Sequence, residues 1–354
     1  MEYLDKISDP LKNYDEENIE YLDLFDYPEL FYGTLSITNK RLDFCKFPTQ
    51  AREEMNNFDA GAIREMKSYH SASCGVRLRF FTNSKRIIFK IKLKRKYSVL
   101  KMVNWGSFGF DVYNLVGDQY DHRTVFAPGN GYDLFAESVY VPANGKLCIF
   151  LPNYNTIEEM YMGIDKGSIV EPIDYPEENM LPIIFYGNSV TQGAAASHSG
   201  NSFPNLVSKK MNNDIINISA SSCCKGTDTI AKFIGKLNAK CIVIDYTRNA
   251  YTTDYFRKTH EEFYKNIRKY HPDTKIILMT SESFNNWRDY DDFDEIVTNT
   301  YEHAKENGDN TYIINQRKLF NEEDYDFISV DNSHYSDYGM NKIAERICEI
   351  IRDK

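Results

Sequence analysis

Positive charge is scarce in this sequence: 42 lysines and arginines stand against 52 aspartates and glutamates, a formal net charge of -10. Proteins that hold a phosphate backbone do so with clustered cations, so nucleic acid is not an expected partner. The one basic run, KIKLKRK at 90–96, alternates Lys90 and Lys92 with Ile91 and Leu93 and reads as a strand with a solvated lysine face. Long apolar runs are missing too. None approaches the roughly 18 residues that would cross a bilayer, so no membrane association is expected. The amino terminus, MEYLDKISDPLKNYDEENIEYL, lacks the basic-then-apolar order of a secretory leader. Cysteine pairs of the CxxC type are absent: only Cys223 and Cys224 are neighbours among the seven cysteines. Free thiols in a reducing, cytoplasmic setting fit that pattern, and it offers no thiolate metal centre.

What is present is an ordinary globular composition, 42% hydrophobic and 27% charged, with two different rhythms. Up to about residue 170 the apolar pattern has period two, in VRLRFF (76–81), RIIFKIKL (86–93), FGFDVYNLV (108–116), SVYVP (138–142) and KLCIFLP (146–152). Asn144-Gly145, between the last two, predicts a hairpin. Short strands with turn punctuation predict a β-sandwich of the jelly-roll kind over 1–175. From about 181 strand-like runs alternate with helical segments: IIFY (183–186), IINIS (215–219), CIVIDY (241–246), KIILMT (275–280) and TYIIN (311–315). This predicts a doubly wound parallel sheet, an α/β domain over 176–354. EPIDYPEENMLP (171–182), with three prolines and four acidic residues, reads as the linker.

Ligands meet a doubly wound sheet at the carboxyl ends of its strands. GNSVTQG (187–193) follows the first strand, Thr247, Arg248 and Asn249 follow the third, and DNSHYSDYG precedes the last helix. A phosphate loop needs GxxxxGK followed by Ser or Thr, and Gly193 is followed by Ala194, so that reading fails. A serine hydroxyl becomes a nucleophile when a neutral imidazole takes its proton and a carboxylate orients that ring. Ser189, His334 and Asp331, three residues ahead of the histidine, are the candidates. The Asn249 amide is a candidate donor to a developing oxyanion.

These blocks resemble the SGNH (GDSL-like) hydrolases. GNSVTQG is similar to their first block, which makes Ser189 the nucleophile by resemblance. IDYTRNA is similar to the block carrying the asparagine, here Asn249, and DNSHYSDYG to the DxxH block, here Asp331 and His334, with the HxxDxG continuation of one branch. GFDVY (109–113) is similar to the GxDLY signature of a branch with an amino-terminal jelly-roll module, whose members are thought of as carbohydrate esterases, often acetyl esterases. The resemblance implies a flavodoxin-like three-layer α/β/α catalytic domain. One block departs: NISASSCCKG (217–226) carries Ser222 where the family has a glycine whose N–H meets the oxyanion. A left-handed backbone there would disfavour serine.

The expectation is therefore a serine esterase for small-molecule or oligosaccharide esters, single or as a homo-oligomer, needing no metal or organic cofactor. Its oxyanion would be held by the N–H groups of Ser189 and Ser222 and by Asn249. An O-acyltransferase using the same acyl-enzyme, or a sugar-binding protein with a retired site, are the alternatives. Trp105 and Tyr335 are candidates to stack on a sugar ring, and His198, in the loop AAASHSGNS, to touch substrate. His260, His271 and His303 are expected to be solvated or to cap helices.

Overall fold

The computed structural model describes residues 16–35, 42–95, 102–129, 131–282 and 290–353; the leader reading of residues 1–15 and Lys96 of the basic run lie outside them. The first half forms ten strands: β1 Ile19–Asp23, β2 Phe31–Tyr32, β3 Arg77–Thr82, β4 Arg86–Leu93, β5 Phe110–Val116, β6 Gln119–Phe126, β7 Leu134–Tyr140, β8 Lys146–Phe150, β9 Ile157–Asp165 and β10 Val170–Pro172. They build two antiparallel sheets, β1-β9-β4-β7 and β10-β3-β8-β5-β6, with β2 also on β3. The chain changes sheet at almost every connection from β3 onward, the habit of a jelly roll. Alternation supplies the core: Ile87, Phe89 and Ile91 of β4 are sealed against Phe80, Phe110 and Phe126. Phe110 and Phe126 stack at 5.0 Å across β5 and β6, and each such ring contributes roughly 1.5–3 kcal/mol by leaving water.

Two sequence readings change here, and one strand escaped them. Asn144-Gly145 is not a hairpin, because β7 pairs with β4 while β8 pairs with β3 and β5. A hairpin of the predicted type needs two left-handed residues, and only Gly145 has positive φ; Gly145 N–H closes the turn onto Pro142 O at 2.8 Å and hands the chain from one sheet to the other. Lys90 is buried, its ammonium 4.3 Å from the Tyr21 ring centre, so only Lys92 of that pair faces solvent, beside Glu158 and Glu159. β6, QYDHRTVF, went unread because it is a polar edge strand, largely exposed, with no apolar alternation to reveal it.

The second half forms β11 Ile183–Gly187, β12 Ile215–Asn217, β13 Cys241–Asp245, β14 Lys275–Met279 and β15 Thr311–Ile314, all parallel, in the order β12-β11-β13-β14-β15. Its strands are apolar on both faces because helices cover both. Ile183, Phe185, Val243 and Ile277 face helices Phe203–Met211 and Asp337–Arg352. Ile184, Ile242, Ile244 and Leu278 face Asp228–Gly235, Thr253–Arg268 and Asp291–Glu306. His260 is enclosed between the last two of these, Nδ1 2.8 Å from Thr300 Oγ1, and burial pushes its pKa down to about 3. It is a core histidine, not a solvated one, and His271 is also buried, whereas His303 is exposed beside Glu261. This strand order reverses direction between β11 and β13, which puts the ligand crevice at their carboxyl ends.

Two helices of the first half, Thr49–Glu54 and Ala60–Tyr69, pack on the second: Ala51, Met55, Ala62 and Met66 share a core with Ile230 and Ile234. The reputed linker adds edge strand β10 and buries Tyr175. At this joint lies Arg77, fully buried, whose Nε donates to Tyr175 Oη at 2.6 Å and whose remaining nitrogens reach Gly75 O, Ile215 O and the Asp214 carboxylate. Removing one partner of a buried ion pair costs about 3–5 kcal/mol. Arg77→Met is expected to lose about that much in chemical denaturation at neutral pH. Burial holds Asp214 above its ordinary pKa and Arg77 pulls it down, so without the arginine it rises further. The folded state then keeps the proton more tightly than the unfolded chain, and the deficit shrinks as pH falls through the folded-state value. A deficit independent of pH would contradict this account.

Candidate active site

β11 ends at Gly187, and the chain turns at once into a single helical turn, Ser189–Gln192. The turn forms because Asn188 caps it, Oδ1 accepting Val190 N–H at 2.7 Å, and because Gly193 ends it at φ 112. A side chain at Gly187 would strike Thr191 Oγ1 at 2.1 Å, so the glycine lets the turn fold back onto its strand. Ser189 Oγ is left half-buried, 2.9 Å from His334 Nε2.

His334 comes from the loop between the short helix Tyr325–Ile328 and the final helix. Val330 N–H to His334 O (2.9 Å) and Ser333 N–H to Ser329 Oγ (2.8 Å) pinch this loop, and Asn332 turns it through φ 62. Asp331 accepts His334 N–H at 2.8 Å, and its oxygens lie 2.9 and 3.1 Å from His334 Nδ1. A carboxylate at Nδ1 fixes the Nδ1–H tautomer and leaves Nε2 to accept the serine proton. Ser189, His334 and Asp331 thus form one hydrogen-bonded series.

Asn249, in the turn Thr247–Asn249 after β13, is buried and donates through Nδ2 to Ala220 O at 3.3 Å. Ala220 N–H reaches back to Gly187 O at 3.3 Å, which brings the Ser222 loop to the end of β11. Ser222 has φ 59, the left-handed conformation that a glycine adopts freely.

The other predicted contacts divide. Trp105 is 56% exposed, and its helical turn presses on the loop of His198: a Cβ on Gly106 would lie 2.4 Å from Ala196 O. His198 is engaged by Asp111 of the GFDVY block, Nδ1 to Oδ2 2.5 Å. Tyr335 is fully buried, donating to Gln316 Oε1 at 2.7 Å and packing on Phe320; it is core, and stacking on a sugar is ruled out.

Several groups that shape the site escaped sequence reading. Tyr154, from the sandwich, donates to Ser189 O at 2.9 Å. Gln192 spans two segments, accepting Ser221 N–H (2.7 Å) and donating to Asn153 O (3.0 Å). Glu282, fully buried just past β14, accepts from the capping Asn188 at 3.2 Å and pairs with Arg248 at 3.2 Å. Burial pushes its pKa up, while Arg248 and the nearby His334 hold it down. Burial, then the charge of Glu282, raises the neighbouring Asp245 well above its ordinary range. The rule that directed attention to residues after strands would have found Glu282 behind KIILMTS. No signal marked Tyr154.

Residues 180–352 match the GDSL-like Lipase/Acylhydrolase family, and residues 19–170 match the N-terminus of Esterase_SGNH_hydro-type, the GxDLY module. Among solved structures, a protein described as a GDSL-like lipase from Bacteroides ovatus is 20% identical, covering 95% of this chain and 99% of its own, with TM-score 0.78. A salicylyl-acyltransferase from a tetracycline biosynthetic pathway is 18% identical over 93% of this chain and 95% of its own, TM-score 0.75. A family two carbohydrate esterase from Cellvibrio japonicus is 11% identical over 94% and 98%, TM-score 0.58. These likenesses establish the shared fold. No curated protein sequence matches the chain.

Left-handed backbone costs a residue with a side chain about 1–2 kcal/mol, and a glycine returns part of that as unfolded-chain entropy. Ser222→Gly is therefore expected to stabilise the protein by about 0.5–1 kcal/mol in urea denaturation. A loss of stability would mean that the serine side chain holds this loop.

Proposed function

Over residues 180–352 the chain belongs to the GDSL-like lipase/acylhydrolase family, and from that premise we propose that it is a serine esterase cleaving short acyl esters, with O-acetyl groups on carbohydrates as the preferred class. The observation that carries the reading is the continuous series Ser189 Oγ to His334 Nε2 at 2.9 Å and His334 Nδ1 to Asp331 Oδ2 at 2.9 Å.

Ser189 Oγ attacks the ester carbonyl carbon while His334 Nε2 takes its proton, and Asp331 stabilises the imidazolium. The oxyanion is held by the N–H groups of Ser189 and Ser222 and by the Asn249 amide, whose two hydrogens allow one to stay on Ala220 O. Collapse breaks the ester C–O bond, and the leaving alcohol takes the proton from His334. Water then gives a proton to Nε2 as it attacks the acyl-enzyme, and the acid departs as Ser189 regains its hydrogen. No step calls for a metal or organic cofactor.

The carbohydrate class rests on the exposed Trp105 beside the His198 loop and on the names of the carbohydrate esterases with this fold. A cytoplasmic home, suited to seven free cysteines, favours soluble oligosaccharides over polymers. The likeness to a salicylyl-acyltransferase supports a second reading, in which an alcohol takes the place of water.

Acetate release from 4-nitrophenyl acetate and from a peracetylated xylo-oligosaccharide tests both. Wild type is expected to turn over, Ser189→Ala to fall by at least about a thousandfold, and Asp331→Asn by about ten-thousandfold. An added alcohol that captures most of the acyl group would favour the transferase. Equal rates for wild type and Ser189→Ala, or no release by either, would sink the esterase reading and turn attention to sugar binding.

A further inference from the structure

We propose that Asp111, His122 and His198 form a binding site for a divalent transition metal of the zinc class, which fastens the sandwich to the loop following Ser189. Among the described residues these three offer one ligand atom each, all within 4.8 Å of one another. Nothing in the hydrolytic chemistry above uses them as a set.

The sequence does not show the cluster, because its members lie on two strands and a distant loop. Asp111 is on β5 and His122 on β6, where the register shifts: Val112 faces Thr124 but Tyr113 faces His122. The extra residue, Arg123, makes this a β-bulge. Side chains alternate between the faces of a strand, so a one-residue shift moves every following side chain to the other face. The bulge brings His122 to the face of Asp111 and Tyr113; regular pairing would turn it away. His198 arrives from the other domain and stacks on His122, ring centres 5.1 Å apart and 22° from parallel.

One further observation points to a ligand. Asp111 is fully buried, and while Oδ2 takes the Gly200 N–H and His198 Nδ1, Oδ1 has no hydrogen-bond partner and faces His122 Nε2 at 3.8 Å. A carboxylate oxygen sealed from water without a partner is costly. The cation nearby, Lys209, gives its hydrogen bond to Tyr113 Oη. His198 Nε2 accepts a hydrogen of Asn201 Nδ2 at 3.0 Å, while the same amide donates to Asp337 at 2.8 Å, so without metal the ring proton is on Nδ1, toward Asp111. These two contacts hold the ring with Nδ1 facing the carboxylate.

Two imidazoles and one carboxylate suit zinc and its neighbours better than magnesium or calcium. Bonds of about 2.0–2.2 Å in tetrahedral geometry set donors about 3.3–3.5 Å apart. His122 Nε2 must close by a few tenths of an ångström, which its 44% exposed side chain permits. With Oδ1 as the carboxylate ligand, His198 Nδ1 must turn from Oδ2 toward the metal, which displaces the Nδ1 proton; neutral His198 then carries its proton on Nε2 and gives up the hydrogen bond from Asn201. Water completes the coordination. The bound metal would hold residues 194–202, already tied to the sandwich by Ser199 Oγ to Gly109 O at 2.6 Å.

The test is calorimetric titration of the chelator-treated full-length protein with Zn²⁺, followed by the visible spectrum with Co²⁺. One equivalent per chain is expected, with a rise in Tm on Zn²⁺ addition and the absorption of four- or five-coordinate cobalt. His122→Ala changes a surface position outside the hydrolytic groups; it is expected to weaken binding at least about a hundredfold and to abolish the Tm shift while Tm without metal is kept. His198→Gln is expected to weaken binding likewise, so a folding failure of Asp111→Asn would not block the result. Absence of stoichiometric binding, or binding that survives His122→Ala, overturns the proposal. None of these readouts depends on ester hydrolysis.

Discussion

A strand buried on both faces cannot satisfy its last polar groups with water, and the end of β11 meets that constraint by drawing in the rest of the molecule. Asn188 N–H reaches Asp245 O at 2.9 Å, Gly187 O takes Ala220 N–H, and Ser189 O takes Ala194 N–H and the hydroxyl of Tyr154. Three separate segments therefore converge on three residues. Buried backbone groups must be paired, and pairing these fixes where Ser189 Oγ points. The histidine loop then has to supply one short hydrogen bond to complete the site.

The sandwich is part of that arrangement. Tyr154, Asn153 and Asp111 belong to its strands and loops, yet their partners are Ser189, Ser199 and His198 of the other half. The traffic also runs the other way, since Ala62 and Met66 lie in the core beneath Asp228–Gly235. With Arg77 and Asp214 paired at the joint, separating the halves would strand buried polar groups on both sides. An amino-terminal module that only bound ligand would not need such a seam. This one sets the backbone of the reactive turn.

Where sequence reading was good, local chemistry and periodicity agreed. RIIFKIKL is a strand over its full length because alternation and branched side chains point the same way. CIVID is a central parallel strand because nothing polar interrupts it until Asp245. Where reading went astray, a partner remote in the chain decided. Asn144-Gly145 has hairpin chemistry, but β7 and β8 each found better neighbours, and Gly145 turns a corner between sheets. Lys90 sits on what looked like a solvated face until the Tyr21 ring covered it. Tyr335 is next to His334 in sequence but directed into the core by Gln316.

The sequence by itself determined the two rhythms, hence a β half followed by an α/β half, and placed Ser189, Asn249 and the Asp331–His334 pair after their strands or before the last helix. Those are consequences of spacing over a few residues, which side-chain periodicity and turn chemistry report directly. Only the tertiary structure decided the 2.9 Å contact from Ser189 to His334, 145 residues away in sequence, the left-handed backbone of Ser222, and the burial of Glu282 behind Asn188. It alone also brought Asp111, His122 and His198 together, through a bulge in a strand without apolar periodicity and a loop from the other domain. Hydrogen bonds and ion pairs between segments distant in the chain depend on how the layers close over one another, and no local pattern encodes that distance.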